Sequence, residues 1–259
     1  MKTLFPALLV VLGSFDSLTA AIVEQPLEYK SGDVVCEGWQ AYDDAVTGKR
    51  PGVLVVHQWT GISDHEKEAA RKLAALGYNV LVADIYGKGI RPQPPAAGKE
   101  AGKYKADRPL LRARANAALD VLSHDARTDA AKLAATGYCF GGTSVLELAR
   151  SGAALKGVVS FHGGLDSPAP ADGKNIKAKV LALHGADDPY VPAKDVAAFE
   201  AELKAAGVDY KLVKYPGAVH SFTHKAAGDD NSKGAAYNAA ADRDSWFQME
   251  QFLKRAFAR

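Results

Sequence analysis

Gly137-Tyr138-Cys139-Phe140-Gly141, followed at once by Gly142, sets a cysteine between glycines. A thiolate is a strong nucleophile when its surroundings lower the thiol pKa. Glycines on either side let neighbouring backbone close in on such a residue without Cβ clashes. The flanks fit: β-compatible Leu133 to Gly137 comes before, and helical Thr143 to Arg150 comes after. A sharp strand-to-helix turn that displays a side chain is a nucleophile elbow, here with sulfur in place of the usual serine oxygen. The alternative is a structural cysteine beside a glycine turn, since free cysteines are commonly buried.

A cysteine nucleophile needs a base, and the base needs an orienting acid. His184-Gly-Ala-Asp187-Asp188-Pro189-Tyr-Val191-Pro192 follows a strand and is bracketed by turn residues. A carboxylate past a strand's C-terminal end sits where open α/β sheets collect their sites. The spacing Gly185-x-x-Asp188-x-x-Val191 favours Asp188, with Asp187 as the alternative. The histidine candidate is His220, in a loop opened by Pro216-Gly217 after the last strand; His57, His162, His184 and His224 are rivals. The sequence order Cys139, Asp188, His220 is the nucleophile–acid–histidine order of α/β-hydrolases. Acyl transfer also needs oxyanion donors, each worth about 3–4 kcal/mol. The N–H groups of Phe140, just after the cysteine, and of Trp59, in a loop after an earlier strand, are the candidates.

The elements that must position these groups alternate. Strands are read at Val34 to Tyr42, Val53 to His57, Tyr78 to Ala83, Leu133 to Gly137, Gly157 to Phe161, Lys179 to Leu183 and Tyr210 to Tyr215. The run Val53-Leu-Val-Val56 suits a strand buried on both faces of a parallel sheet. Helices are read from Asp64 to Leu76, with Ser63 and Glu66 as a capping box and Gly77 as the stop, then roughly Asp107 to His124, Lys194 to Ala206 and Ala239 to Phe257. The Trp246, Met249, Phe252 and Leu253 stripe on the last helix is core packing. Gly87 to Gly102 reads as a long loop or cap insertion. Strands alternating with helices define an α/β fold with a mainly parallel sheet.

At 47% hydrophobic and 24% charged, the chain can bury a normal core, and one domain of α/β size is expected. A net charge of +2 without a basic stripe gives no reason to expect nucleic acid. The opening Met1-Lys2 followed by the apolar Leu4 to Phe15 and small residues at Thr19-Ala-Ala21 reads as a signal peptide over residues 1–21, with the domain over 22–259. The mature chain is then periplasmic or secreted, without a membrane span. No Cys/His spacing resembles a zinc site. Cys36, in a probable early strand, is expected to be a small core residue.

These pieces resemble the dienelactone hydrolase family of cysteine α/β-hydrolases. The residues carrying the resemblance are Gly137-Tyr-Cys-Phe-Gly-Gly142, His57-Gln-Trp-Thr-Gly61, Gly77-Tyr78 with Ala83-Asp-Ile-Tyr-Gly87, Gly185-Ala-Asp-Asp188-Pro-Tyr-Val-Pro192 and Gly217-Ala-Val-His220-Ser-Phe222. The resemblance implies Cys139 as nucleophile, His220 as base and Asp188 as acid, on one open sheet flanked by helices. It also marks departures. The family often has a glutamate where Gln58 stands, and that carboxylate helps control thiol protonation. The dienelactone-cleaving members hold a substrate carboxylate with two arginines; the matching positions are Lys88 and His224, with Arg91 close by.

The expected function is therefore hydrolysis of carboxylic esters or lactones through a thioester acyl-enzyme, with no cofactor or metal. The substrate is a small molecule, and the protein is a monomer or homodimer. A non-catalytic binding protein on the same scaffold, or an acyltransferase, are the other readings.

Overall fold

The structure is a computed structural model that describes residues 21–258. The expected signal peptide, apart from Ala21, lies outside the described residues. The strands are β1 (Ile22–Ser31), β2 (Val34–Asp43), β3 (Arg50–Val56), β4 (Asn79–Ala83), β5 (Thr128–Tyr138), β6 (Gly157–Phe161), β7 (Lys179–Gly185) and β8 (Tyr210–Tyr215). They form one eight-stranded sheet in the order β1-β2-β4-β3-β5-β6-β7-β8. From β4 to β8 every neighbour is parallel, and β1 and β2 join antiparallel at one edge.

Six α-helices cover the two faces: α1 (Asp64–Ala75), α2 (Ala96–Ala106), α3 (Arg108–His124), α4 (Phe140–Arg150), α5 (Ala193–Ala205) and α6 (Ala239–Phe257). Alternate side chains of a strand point to opposite faces. Accordingly Leu54 and Val56 of β3 pack with α2 to α5, while Val53 and Val55 pack with α1 and α6. The stripe on α6 behaves as expected: Met249, Phe252 and Leu253 are buried and Trp246 packs against the same core. Cys36 is a buried free thiol in the opposite layer. The capping box at Ser63 and Glu66 is formed, and Gly77 adopts a φ of 89° just past α1.

Two elements differ from the sequence reading. β1 carries no apolar alternation and contains Pro26; it lies at the sheet edge, where a missing N–H is tolerated and one side needs no partner. The segment 87–102 is not loop throughout, because α2 begins at Ala96. Its glycines weaken local helix propensity, but Ala97, Ala101 and Tyr104 form a buried stripe that docks it.

The helix behind the candidate nucleophile is held firmly. Every residue of α4 is buried or nearly so, including two charged ones. A buried charge survives only when paired. Arg150 donates from Nε and Nη2 to the two carboxylate oxygens of Glu202 at 2.8 and 2.7 Å, and from Nη1 to Glu147 at 3.0 Å. Glu147 also receives Arg112. The network ties α4 to α3 and α5, so the start of α4 has a rigid base.

Candidate active site

Cys139 stands between β5 and α4 with φ 55° and ψ −115°, a conformation that costs a non-glycine residue free energy and that clusters at functional sites. The glycines around it are required by close approach. A Cβ on Gly137 would stand 2.2 Å from the Gly141 oxygen, and one on Gly141 would stand 2.1 Å from the Val56 oxygen. The elbow therefore presses against the end of β3, and any side chain there would force the turn open.

The sulfur meets the two groups expected of it. His220 Nε2 lies 3.0 Å from Cys139 Sγ, and His220 Nδ1 lies 2.8 Å from Asp188 Oδ2. The other oxygen of Asp188 accepts the Tyr190 N–H at 2.8 Å, which fixes the carboxylate. Asp187, the alternative acid, instead accepts the Gly217 N–H at 2.9 Å and braces the loop that leads to His220. His220 itself is anchored through its N–H to the Gly234 carbonyl and lies beside Ala235.

The electrostatics favour an ion pair. Burial pushes the Cys139 thiol up, but the His220 charge, the hydrogen bond from His220, the Phe140 N–H and the Lys105 charge outweigh it, and the net direction is down. Burial pushes the His220 imidazole down, but the Cys139 thiolate and Asp188 outweigh it and raise it to about 10. Both directions favour the thiolate–imidazolium form, in which Nε2–H donates to sulfur.

The sulfur opens into a cavity of about 420 Å³. Trp59 lies on its wall, half-exposed, and the Tyr86 hydroxyl donates to the Trp59 carbonyl at 2.9 Å and fixes that loop. Both oxyanion candidates, Trp59 and Phe140, thus border the cavity. The Phe140 N–H points at the sulfur, and the Trp59 N–H has no intrachain acceptor among the described residues.

The four residues considered for substrate contact are placed elsewhere. Lys88 is exposed near the β1–β2 edge and pairs with Glu28 and Glu37. Arg91 lies against buried Asp84 at 3.4 Å and donates to the carbonyls of Ile90, Glu37 and Gly87, so it is a brace for the loop after β4. Gln58 is buried, and its amide donates to His224 Nδ1 at 2.8 Å, away from the sulfur. His224 stacks on His65 at 5.1 Å and lines a separate cavity of about 240 Å³. The match to a family arginine position brings Lys88 forward, with Arg91 as its sequence neighbour, but nearby carboxylates and carbonyls capture both.

The cation that does reach the cavity is Lys105, on α2. It has no ion-pair partner among the described residues, and its Nζ lies 3.9 Å from the place a Cβ on Gly164 would occupy. The sequence reading ends its loop at Gly102 and begins the next helix near Asp107, so Lys105 falls in neither, whereas α2 runs to Ala106. Of the rival histidines, His57 accepts the Ile85 N–H at Nε2 and faces the Gln58 carbonyl through Nδ1, a buried structural role. His184 lines a different cavity, behind Asp188. Among the described residues no group of three or more His, Cys, Asp and Glu is placed to hold a metal ion, and no helix is long and apolar enough to cross a membrane.

Fold and site together define an α/β-hydrolase. Residues 37–257 match the model of the dienelactone hydrolase family, and the chain belongs to that family. A Bradyrhizobium sp. protein named "Probable 2-oxo-3-(5-oxofuran-2-ylidene)propanoate lactonase" is 31% identical over 220 residues, covering 81% of this chain and 85% of its own. A Methylorubrum extorquens protein whose name proposes a carboxymethylenebutenolidase is 27% identical over 252 residues, covering 93% and 82%. Among solved structures, a dienelactone hydrolase-like promiscuous phosphotriesterase from metagenomic libraries superposes with a TM-score of 0.87 at 38% identity, covering 92% of this chain and 99% of that one. The protein is a hydrolase of the lactone and ester class.

Proposed function

We propose that this chain is an exported hydrolase that opens carboxylic esters or lactones through a thioester on Cys139. The observation that carries the reading is the continuous contact from sulfur to imidazole to carboxylate, 3.0 and 2.8 Å long. The Cys139 thiolate attacks the carbonyl carbon, and the carbonyl electrons move to oxygen, where the Phe140 and Trp59 N–H groups face the developing charge. His220 gives its Nε2 proton to the departing alkoxide. It then takes a proton from water, which attacks the thioester and releases the acid and the thiolate. Export rests on the residue pattern of 1–21, and a mature N-terminus near Ala21 is its mark.

The position of Lys105 on the cavity wall adds a preference for substrates that carry a carboxylate. A point charge at a partly exposed site is worth roughly 1 kcal/mol. The test is kcat/KM for a panel of p-nitrophenyl esters and lactones, with and without a carboxylate, for the wild type and Lys105→Ala. The variant should lose about 5-fold on the carboxylate-bearing members, from that 1 kcal/mol, and stay within about 2-fold on neutral ones. Equal loss on both sets rejects Lys105 as an anchor. Failure of the wild type to hydrolyse any member rejects the hydrolase reading itself.

A further inference from the structure

We propose that His162 is a positioning residue for the reaction, whose ring joins the backbone of Cys139 to the loop that carries His220. This rests on Cys139 being the nucleophile. His162 follows β6, is fully buried and adopts a φ of 39°, one of three non-glycine residues with positive φ among the described residues. Another of the three is Cys139 itself, so two strained residues lie side by side at the site.

The contacts show what the strain supports. The Cys139 N–H donates to His162 Nδ1 at 3.1 Å and also to the Phe161 carbonyl at 3.0 Å. Since Nδ1 accepts, the ring proton is on Nε2, which donates to Thr223 Oγ1 at 2.8 Å. Thr223 is buried and lies three residues beyond His220. The ring also packs edge-on against His220 at 5.4 Å and against Phe222 at 5.1 Å. One neutral imidazole thus spans nucleophile and base from behind. It leaves both catalytic groups free at the front. Burial, with the charges of His220 and other nearby histidines, holds His162 well below its ordinary range, so this tautomer persists while His220 is charged.

The distance between sulfur and His220 Nε2 is set by where the two backbones sit. Loss of the strut should let them drift, and small misplacements cost up to about 100-fold in rate. Asparagine tolerates positive φ and presents Oδ1 where Nδ1 stood, so it should retain the bond to the Cys139 N–H. The experiment compares wild type, His162→Ala, His162→Asn and Thr223→Val. It measures kcat and KM on p-nitrophenyl acetate, Tm, and the pH profile of iodoacetamide alkylation at the Cys139 peptide.

For His162→Ala, kcat should fall on the order of 10- to 100-fold with KM little changed, and the alkylation profile should move to higher pH. His162→Asn should recover most of the loss, and Thr223→Val should show the same two changes in smaller measure. A folded His162→Ala with wild-type kcat and profile overturns the proposal. So does a loss that follows Tm alone and is equal in the asparagine variant. If the alanine variant does not fold, Thr223→Val with wild-type kcat and profile overturns it. The wild-type profile separates the two readings: an ordinary thiol profile there defeats the nucleophile assignment, whereas a low one left unmoved in the variants defeats only the strut.

Discussion

Replacing Cys139 by alanine is expected to lower turnover of a p-nitrophenyl ester by about 10⁴-fold or more. The size follows from the geometry. Two residues with aliphatic hydroxyls line the cavity, Thr143 and Ser221; Thr143 donates to the Gly164 carbonyl at 3.2 Å, and neither hydroxyl hydrogen-bonds to His220 among the described residues. What remains in the variant is the oxyanion site and the binding cavity, which alone support only residual catalysis. A loss of this size is about 5.5 kcal/mol of transition-state stabilisation. The fold should survive, because alanine fits any space that cysteine fills and the elbow's tight contacts belong to Gly137, Gly141 and Gly142. Steady-state kinetics with a circular dichroism control checks it, and retained turnover in a folded variant contradicts it.

Asp188→Asn should lower kcat by about 10²- to 10⁴-fold with little change in KM. The substitution keeps the shape, and the retained oxygen still accepts the Tyr190 N–H. It removes the charge and turns an N–H₂ donor toward His220 Nδ1, where a donor already stands. The imidazole then favours the tautomer with its proton on Nε2 and an unprotonated Nδ1, and the imidazolium loses its counter-charge. The pH sign follows. Asp188 helps to hold His220 up near 10, so its loss lowers the His220 value. The weaker imidazolium then stabilises the thiolate less, and Cys139 moves upward. Activity at low pH should suffer most, and the acid limb of the kcat/KM profile should move to higher pH. A uniform loss without that displacement would mean that Asp188 acts only on structure.

Much of the site was legible because its parts are local patterns in a fixed chain order. The elbow announces itself through three glycines around Cys139, and each is needed for contacts closer than a Cβ allows. Asp188 and His220 follow in the order the fold dictates, and of the two aspartates Asp188 is the one that meets His220, while Asp187 accepts the Gly217 N–H. The buried strands were plain from their β-branched runs, whereas β1 was silent because an edge strand needs neither alternation nor a full set of donors. Side-chain direction was the main gap. Lys88 and Arg91 follow a catalytic-side strand in sequence but turn to carboxylates of the β1–β2 edge and to Asp84. Lys105 arrives from a helix that its own glycines disguised. His162 stood only as a rival base, since the acceptor role of a ring nitrogen toward a backbone N–H leaves no mark in sequence.

The most direct test of Cys139 as a resident thiolate is its alkylation by iodoacetamide across pH 5 to 9, followed on the Cys139 peptide by mass spectrometry. An unperturbed thiol of pKa about 8.5 slows roughly tenfold for each unit below that value. The expected result is a rate that stays nearly level well below pH 8 and falls only at distinctly lower pH, with buried Cys36 unmodified on the same time scale. A Cys139 rate that tracks an ordinary free thiol, falling steadily from pH 8.5 downward, would contradict the ion pair and the nucleophile role built on it.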